Sequence, residues 1–247
     1  MIPVDLSNLS AIVTGGATGL GRGAAEALAR AGAHVTILGR REAVLKEAAD
    51  AMKVDWLVCD ITERDQVKAA FAKVAQRTGR LDILVNAAGL NLRGDSFDFA
   101  ETDWDEVHRV NGRGSFICSV EAARIMRDAK AGKIINYCSY GSANGLPRSV
   151  AYASSKGGVR QMTKSLAIEL APLGIQVNGI EPGWFKTDMT AKLFEDKAWV
   201  ERTHARIPMA RVGSVSDLDG AVVFLASALS DYVTGIMVPV DGGAQAV

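Results

Sequence analysis

The chain has 247 residues with 28 basic and 28 acidic side chains, so its formal net charge is zero. This length suits one large α/β domain, and a hydrophobic content of 48% is ordinary for a globular protein. A neutral chain has no broad electrostatic attraction for nucleic acid or for an anionic membrane. No apolar stretch of the sequence approaches the ~20 residues that span a bilayer, so neither partner is expected.

Cysteine and histidine are too scattered in the sequence to indicate a metal centre. The three cysteines are Cys59, Cys118 and Cys138, and the three histidines are His34, His108 and His204. There is no CxxC pair, and the histidines form no plausible ligand set. We expect reduced core cysteines, no metal and a cytoplasmic location, since residues 1–9 also lack the features of a secretion signal.

Short apolar runs alternate with longer segments of helical period along the whole chain. The predicted strands cover residues 10–14, 34–38, 55–58, 81–85, 133–137, 175–180 and 236–240. Most of these runs are almost wholly apolar, which is typical of parallel strands buried on both faces. The predicted helices include residues 21–31, 65–78, 104–127, 155–171 and 215–226. This alternation predicts a single-domain, doubly wound α/β Rossmann fold with a seven-stranded parallel sheet and helices on both faces.

One long segment interrupts the alternation just after a predicted strand. Residues 184–213 contain no predicted strand and are rich in polar and aromatic side chains. Ligands of doubly wound sheets bind at the carboxyl ends of the strands. We therefore expect this segment to form a helical lid over the substrate; a peripheral helical insertion is the alternative.

A glycine-rich turn follows the first predicted strand and leads directly into a helix. Its residues read Thr14-Gly15-Gly16-Ala17-Thr18-Gly19-Leu20-Gly21. Glycines let the backbone approach a pyrophosphate closely, and the helix N-terminus offers unpaired N–H groups and the positive end of its dipole. The turn therefore predicts a phosphate site.

Tyr152 and Lys156 lie four residues apart in a segment with helical period, so their side chains share one helix face. A free tyrosine has a pKa near ~10 and is a poor base at neutral pH. An ammonium group within ~4–6 Å stabilises the phenolate. We therefore expect Lys156 to lower the pKa of Tyr152, which could then exchange a proton with an alcohol or an alkoxide.

The turn and the Tyr–Lys pair belong to an ordered series that resembles the short-chain dehydrogenase/reductase family. The matching elements are Gly15, Gly19 and Gly21 in a TGxxxGxG pattern, Asn86-Ala87-Ala88-Gly89, Asn111, Ser139 thirteen residues before Tyr152, the YxxxK pair Tyr152 and Lys156, and Pro182-Gly183 with Thr187. The resemblance covers nearly the whole chain. It implies an NAD(P)-dependent oxidoreductase that interconverts a carbonyl and an alcohol.

The resemblance also assigns roles to individual residues. It makes Ser139, Tyr152, Lys156 and Asn111 catalytic. Ser139 would donate to the substrate oxygen, and Asn111 would hold a water that links Lys156 to solvent. It places the following residues at the cofactor: Gly15, Thr18, Gly19, Leu20, Gly21, Arg40, Arg41, Asp60, Ile61, Asn86, Ala87, Ala88, Gly89, Tyr152, Lys156, Pro182, Gly183, Phe185 and Thr187. Asp60 would accept a hydrogen bond from the adenine amino group, or would instead cap a helix that begins near Thr62.

The end of the second strand favours NADP(H) over NAD(H). Gly39 stands where NAD-type members of the family carry an acid, and Arg40 follows it. An acid there would bond the ribose 2′-hydroxyl and repel a 2′-phosphate, whereas an arginine presents a planar fork to the phosphate. NAD(H) remains possible, because Thr18 is not basic and Arg41 could simply be a solvated residue at a helix start.

The predicted substrate walls are polar. Their candidate contacts are Arg93, Ser139, Arg148, Trp184 and His204. Arg93 could pair with a carboxylate, or could be an ordinary surface arginine. The segment from Glu181 to Thr190 resembles the family's gluconate 5-dehydrogenase type, which implies a sugar, polyol or sugar acid as the small-molecule substrate.

Two alternatives remain open at the level of function. A 3-oxoacyl-thioester reductase shares every motif above, and its acidic carrier protein would need the basic residues Arg124, Arg127, Lys130 and Lys133. A catalytically silent nucleotide-binding scaffold is the other, although Ser139, Tyr152 and Lys156 are all present. The resemblance further implies a homotetramer, in which residues 104–127 and 155–171 pack against symmetry mates.

Overall fold

The computed structural model describes residues 4–187 and 189–247. Residues 1–3, which begin the segment expected to lack a secretion signal, and Asp188, in the expected lid, lie outside the described residues. Over the described part of the chain, no helix is long and apolar enough to cross a membrane.

Seven strands form one sheet in which every neighbouring pair is parallel. The strands are β1 (Ser10–Thr14), β2 (His34–Gly39), β3 (Asp55–Val58), β4 (Ile83–Asn86), β5 (Gly132–Tyr137), β6 (Ile175–Pro182) and β7 (Met237–Val240). Their order in the sheet is β3-β2-β1-β4-β5-β6-β7. The order reverses between β1 and β4, and ligands of such sheets bind at this point. The predicted fold class and all seven strands are confirmed, with shifts of one or two residues at strand ends.

Nine α-helices accompany the sheet in the described residues. They are α1 (Gly19–Arg30), α2 (Glu42–Met52), α3 (Arg64–Thr78), α4 (Glu101–His108), α5 (Ser115–Ala129), α6 (Val150–Leu170), α7 (Ala191–Phe194), α8 (Lys197–Ala205) and α9 (Asp219–Ala226). One core cluster joins the sheet to α1, α2 and α9. The other joins it to α3, α5 and α6. The sheet is therefore covered on both faces, as parallel strands require.

The helix predicted over residues 104–127 is wrong as a single element. The structure has α4, then a π-helical segment Arg109–Gly114, then α5. A π-helical turn places one extra residue in the helix and is frequent at functional sites. Here the inserted segment contains Asn111, which is fully buried.

The segment predicted as a lid, residues 184–213, contains the two short helices α7 and α8. Its two ends meet, because Phe185 and Gly213 form an isolated parallel bridge. The Gly213 N–H also donates to the Trp184 carbonyl at 2.8 Å. The segment therefore starts and finishes beside the carboxyl end of β6.

Candidate active site

The turn after β1 has the geometry of an anion site. Gly15 has φ +66°, and a Cβ at this position would lie 2.8 Å from the Ala88 Cα. The Thr14 side chain also keeps the turn close to Ala88, because its Oγ1 accepts a hydrogen bond from the Ala88 N–H at 3.2 Å. The backbone of α1 begins at Gly19, and its N-cap, Thr18, makes no side-chain capping hydrogen bond. The first N–H groups of α1 therefore remain available to a phosphate.

Two compartments meet at this turn to form one elongated cleft. Both include Gly15, Thr18, Ala88 and Gly89 in their walls. The catalytic compartment, of about 220 Å³, also contains Gly19, Leu20, Gly21, Ala87, Tyr137, Cys138, Ser139, Tyr152, Lys156, Pro182, Gly183, Phe185, Thr187, Met189 and Thr190. The second compartment, of about 210 Å³, also contains Ala17, Leu38, Gly39, Arg40, Arg41, Val44, Leu45, Cys59, Asp60, Ile61 and Val110. The cleft thus has two ends joined at a phosphate turn, the shape that a dinucleotide requires.

Ser139, Tyr152 and Lys156 converge in the catalytic compartment. Ser139 lies two residues after the end of β5, and the other two lie on α6. The Ser139 Oγ accepts a hydrogen bond from the Gly141 N–H at 3.0 Å. Because this contact uses a lone pair, the hydroxyl hydrogen of Ser139 remains available for donation to an oxygen in the cleft.

Burial controls the protonation of Tyr152 and Lys156. Burial raises the pKa of Tyr152 above its ordinary value, and the hydrogen-bonding contact with Ser139 only partly opposes this rise. Burial also lowers the pKa of Lys156 to about 8. The Lys156 ammonium donates to the Tyr137 carbonyl at 2.6 Å. Desolvation prevails in this structure and the ammonium contacts a backbone oxygen, so the lowering of the Tyr152 pKa by Lys156 stays a prediction for the cofactor-bound site.

Asn111 connects three elements around the same compartment. Its amide donates to the Leu90 carbonyl and to the Ser155 Oγ, both at 2.9 Å, and its Oδ1 accepts from the Leu90 N–H at 2.7 Å. These contacts occupy both side-chain groups of Asn111. The side chain therefore fixes the backbone after Gly89 to the helix that carries Tyr152, and its expected water-holding role stays a prediction.

Charged side chains surround the far end of the second compartment. Arg40 is mostly exposed, and its Nη1 lies 4.0 Å from the Asp60 Oδ2. Asp60 accepts from the Thr62 backbone N–H at 2.9 Å and from the Thr62 hydroxyl at 2.8 Å. Burial acts to raise the pKa of Asp60, but these hydrogen bonds and the nearby arginines outweigh it and lower the pKa overall. Since α3 begins at Arg64 with Glu63 as its N-cap, the alternative of Asp60 as the cap is wrong.

Asn86 is the one expected cofactor residue that does not line the cleft. It is buried at the end of β4, where its amide donates to the Asn136 Oδ1 at 2.9 Å and to the Ser119 Oγ at 3.0 Å. Its side chain thus ties β4 to β5 and α5. The placement of Asn86 corrects the prediction: the three residues after it form the wall.

Of the expected substrate residues, only Ser139 lines the catalytic compartment; Arg93, Arg148 and Trp184 lie in the chain segments that follow β4, β5 and β6. Arg93 and Arg148 belong to two loops held together by a hydrogen bond from the Gly94 N–H to the Arg148 carbonyl at 3.1 Å. Burial, and then the charge of Arg148, lower the pKa of Arg93. Trp184 packs on Tyr140 with ring centroids 4.5 Å apart, while His204 is a half-buried residue of α8.

Several residues of the cleft were not predicted. Tyr137 and Cys138 continue from β5 toward Ser139, so their position at a strand end was the available signal. Thr190 is different: its Oγ1 accepts from the Thr187 N–H at 3.0 Å and donates to the Phe185 carbonyl at 2.6 Å. No local pattern marks this contact, because it depends on how the segment after β6 folds back.

A doubly wound sheet with a phosphate turn at its switch point and a Ser–Tyr–Lys group in the adjoining compartment defines a dinucleotide-dependent oxidoreductase. Comparison with known proteins identifies the family. A family model described as "Enoyl-(Acyl carrier protein) reductase" matches residues 15–245. The chain belongs to the short-chain dehydrogenase/reductase family.

Three relatives illustrate the similarity. Gluconate 5-dehydrogenase of Gluconobacter oxydans (strain 621H) is 37% identical over 97% of this chain and 95% of that protein. A 3-oxoacyl-[acyl-carrier-protein] reductase of Thermotoga maritima is 39% identical over 94% and 96%. The crystal structure of a gluconate 5-dehydrogenase from Burkholderia cenocepacia J2315, in complex with NADP and tartrate, is 38% identical and superposes with a TM-score of 0.96 over 99% of this chain and 98% of that one.

Proposed function

We propose that the chain is an NADP(H)-dependent oxidoreductase that interconverts a secondary alcohol and a ketone in a small sugar acid. The convergence of Ser139, Tyr152 and Lys156 beside the phosphate turn is the observation that carries this proposal. The bound cofactor would supply or accept the hydride. The protein would supply positioning, proton transfer and charge stabilisation.

The cleft fits a nicotinamide dinucleotide. A Cβ at Gly15 would fill the cradle of the turn, so the backbone there is shaped for close approach by a phosphate. The second compartment would hold the adenosine end, with Asp60 and Ile61 in its wall. Arg40 and Arg41 would face a 2′-phosphate, and Gly39 adds no opposing carboxylate. The NADP complex of the Burkholderia relative supports the same preference.

Each catalytic side chain has a role at a defined atom. The Tyr152 hydroxyl would give a proton to the carbonyl oxygen during reduction and take it back during oxidation. Ser139, whose hydroxyl contacts the Tyr152 hydroxyl in this structure, would turn its hydrogen to that oxygen as negative charge develops. Lys156 would leave the Tyr137 carbonyl for the ribose hydroxyls of the cofactor, which would bring its charge nearer to Tyr152.

The rim of the catalytic compartment supports an anionic, hydroxylated substrate. Arg93 and Arg148 carry like charges on adjoining loops, and each lowers the cost of bringing in a carboxylate. Trp184 and Tyr140 pack on each other next to Gly183 and Ser139, which line the compartment, and offer aromatic faces. The name of the Gluconobacter relative and the tartrate of the Burkholderia complex agree with this chemistry. We accordingly assign Arg93 to the substrate carboxylate.

Reduction of a 3-oxoacyl thioester is the second candidate, because the Thermotoga relative carries that name. The basic surface that this function needs is only partly neutralised. Arg124 shares Glu121 with Arg64, Arg127 pairs with Asp128, and Lys133 pairs with Asp231, while Lys130 is exposed. The pairing reduces the positive charge offered to an acidic carrier protein, so we favour the sugar acid.

Nicotinamide absorbance with a matched set of substrates tests the proposal. We expect NADP-linked oxidation of D-gluconate at a kcat/KM well above that of a neutral polyol of the same length or of a 3-oxoacyl thioester reduced with NADPH. The variant Arg93→Met should raise KM for the sugar acid and leave KM for the polyol unchanged. Preference for the thioester would refute the substrate assignment, and absence of turnover with every substrate would refute the proposed reaction.

Three further points belong to the proposal. Residues 184–213 are assigned to a substrate lid because they start and finish beside the catalytic compartment. The homotetramer rests on the family resemblance, and size-exclusion chromatography with light scattering would test it. A cytoplasmic location is consistent with the three buried free thiols.

A further inference from the structure

Helix α6 carries a third charged or polar side chain, Arg160, on the face that holds Tyr152 and Lys156. Arg160 follows Lys156 by four residues, so it lies one turn further along the same face. Its Nε donates to the Glu181 Oε1 at 2.9 Å. The Glu181 side chain is only 2% exposed, whereas that of Arg160 is 36% exposed.

Glu181 stands directly before the wall of the catalytic compartment. It pairs with Pro239 in the sheet, and Pro182 pairs with Val240. The next residue, Gly183, donates its N–H to the Val240 carbonyl at 2.9 Å, and a Cβ there would lie 2.7 Å from the Asp241 Cα. The chain from Glu181 to Gly183 is therefore fixed to β7, and the ion pair fixes α6 to this same point.

The burial of the Glu181 carboxylate requires a physical explanation. Removing an ionised carboxylate from water is unfavourable by several kcal/mol, and one ion pair does not reliably compensate. An apolar pair would pack α6 against β6 without this cost. It would not, however, fix the position of α6 along its axis relative to β6, as a directional hydrogen bond does. The feature fixed here is the distance between the helix of Tyr152 and the wall at Pro182 and Gly183.

We propose that Glu181 and Arg160 are positioning residues for hydride transfer: their ion pair holds Tyr152 and Lys156 in register with the wall that confines the nicotinamide. This inference rests on the proposed function. A misplacement of about 1 Å at reacting groups lowers turnover about 100-fold. Loss of the pair should therefore act on the nicotinamide end of the cleft and leave the adenosine end unchanged.

The unequal burial of the two partners predicts unequal effects. In Arg160→Met, Glu181 loses its charged partner and keeps the neutral Gln245 amide, so a buried charge is left uncompensated, which is the unfavourable case. In Glu181→Gln, Arg160 can reach solvent from its partly exposed position. We expect kcat to fall about 100-fold in Arg160→Met and less in Glu181→Gln. The double variant Arg160→Met/Glu181→Gln should recover part of the loss, because it removes both charges.

Two ligands separate the ends of the cleft. Adenosine 2′,5′-bisphosphate would occupy only the second compartment, whereas NADPH would occupy both. In Arg160→Met and Glu181→Gln we expect weaker NADPH binding and an unchanged dissociation constant for the bisphosphate. Isothermal titration and fluorescence quenching measure the two constants. Equal weakening of both ligands, or unchanged kcat and NADPH affinity, would overturn the inference.

Glu121→Gln is the matched control. Glu121 has a side chain that is 5% exposed and paired with Arg64 and Arg124, and it lines neither compartment. It should lose thermal stability but keep kcat and NADPH affinity; an equal loss of kcat in this control would also overturn the inference. If Arg160→Met does not fold, Glu181→Gln and the double variant decide by the same criteria. Failure of the parent protein to bind NADPH would instead overturn the proposed function itself.

Discussion

The close contact between the phosphate turn and the chain after β4 can be tested by adding one methyl group. In Gly15→Ala, the new Cβ would lie 2.8 Å from the Ala88 Cα and 2.9 Å from the Ala88 nitrogen, both backbone atoms that cannot rotate away. The residue must also keep φ near +66°, which costs a non-glycine residue about 1 kcal/mol. Relief of the clash adds about 1–3 kcal/mol. We therefore expect a loss of about 2–4 kcal/mol in the free energy of unfolding.

Gly79→Ala separates backbone strain from the clash. Gly79 ends α3 with φ +75°, but a Cβ there meets no atom within 4 Å. Its melting temperature should fall by about 2–4 °C and that of Gly15→Ala by about 4–16 °C, given the size of the chain. Loss of one charge-assisted hydrogen bond to a phosphate should also weaken NADPH binding about 10- to 150-fold in Gly15→Ala alone. Equal melting temperatures, or unchanged NADPH affinity, would refute the reasoning about this turn.

Three further predictions address the catalytic group and the cofactor. Tyr152→Phe should lower turnover by about 100- to 10,000-fold because the proton donor is lost, with NADPH affinity, measured by fluorescence quenching, nearly unchanged; substantial turnover would refute the acid–base role. The pKa of Lys156 is about 8 in the folded chain against an ordinary 10.5, so between these pH values the unfolded chain binds more protons. We therefore expect the stability difference between the parent protein and Lys156→Met, measured as the free energy of urea unfolding, to shift in favour of the parent as the pH rises across this window. A difference that does not change with pH would contradict the burial argument. Gly39→Asp should shift preference from NADPH toward NADH by about 30-fold, because the new carboxylate repels the 2′-phosphate. It should not lower stability, since its Cβ would meet only Leu45 side-chain atoms at 3.5–3.8 Å. Retained preference for NADPH would contradict the placement of the 2′-phosphate.

The strands could be predicted closely because a parallel strand buried on both faces leaves a simple mark in the sequence. Every residue of β1, β4 and β5 is buried, so the centre of each strand reads as a short apolar run without the polar alternation of a half-exposed strand. The helix α2 was not among the predicted helices. Its buried residues, Leu45, Ala48 and Ala49, recur at helical spacing, so the helical period is present in the sequence there and the omission has no physical cause.

The π-helical segment Arg109–Gly114 shows a different limit. A single extra residue hardly changes a hydrophobic period, and the flanking helices α4 and α5 continue on either side. What keeps Asn111 in place is a contact with Leu90, 21 residues earlier in the chain, and one with Ser155, 44 residues later. The hydrophobic pattern of a helix does not show which distant residues its side chains contact.

The same distinction explains why the cofactor cleft could be predicted better than the substrate walls. Most of the cleft consists of backbone at strand ends, such as Gly15 after β1 and Ala88 after β4. Once the strands are found, the topology brings these ends together at the switch point. The substrate rim depends on side chains from separate loops, and the contacts that place them, such as Gly94 with Arg148 and Tyr140 with Trp184, have no periodic signal. Protonation in the site has the same origin: the pKa of Tyr152 is set by how deeply the folded chain buries it, and the four-residue spacing to Lys156 gives only the helix face.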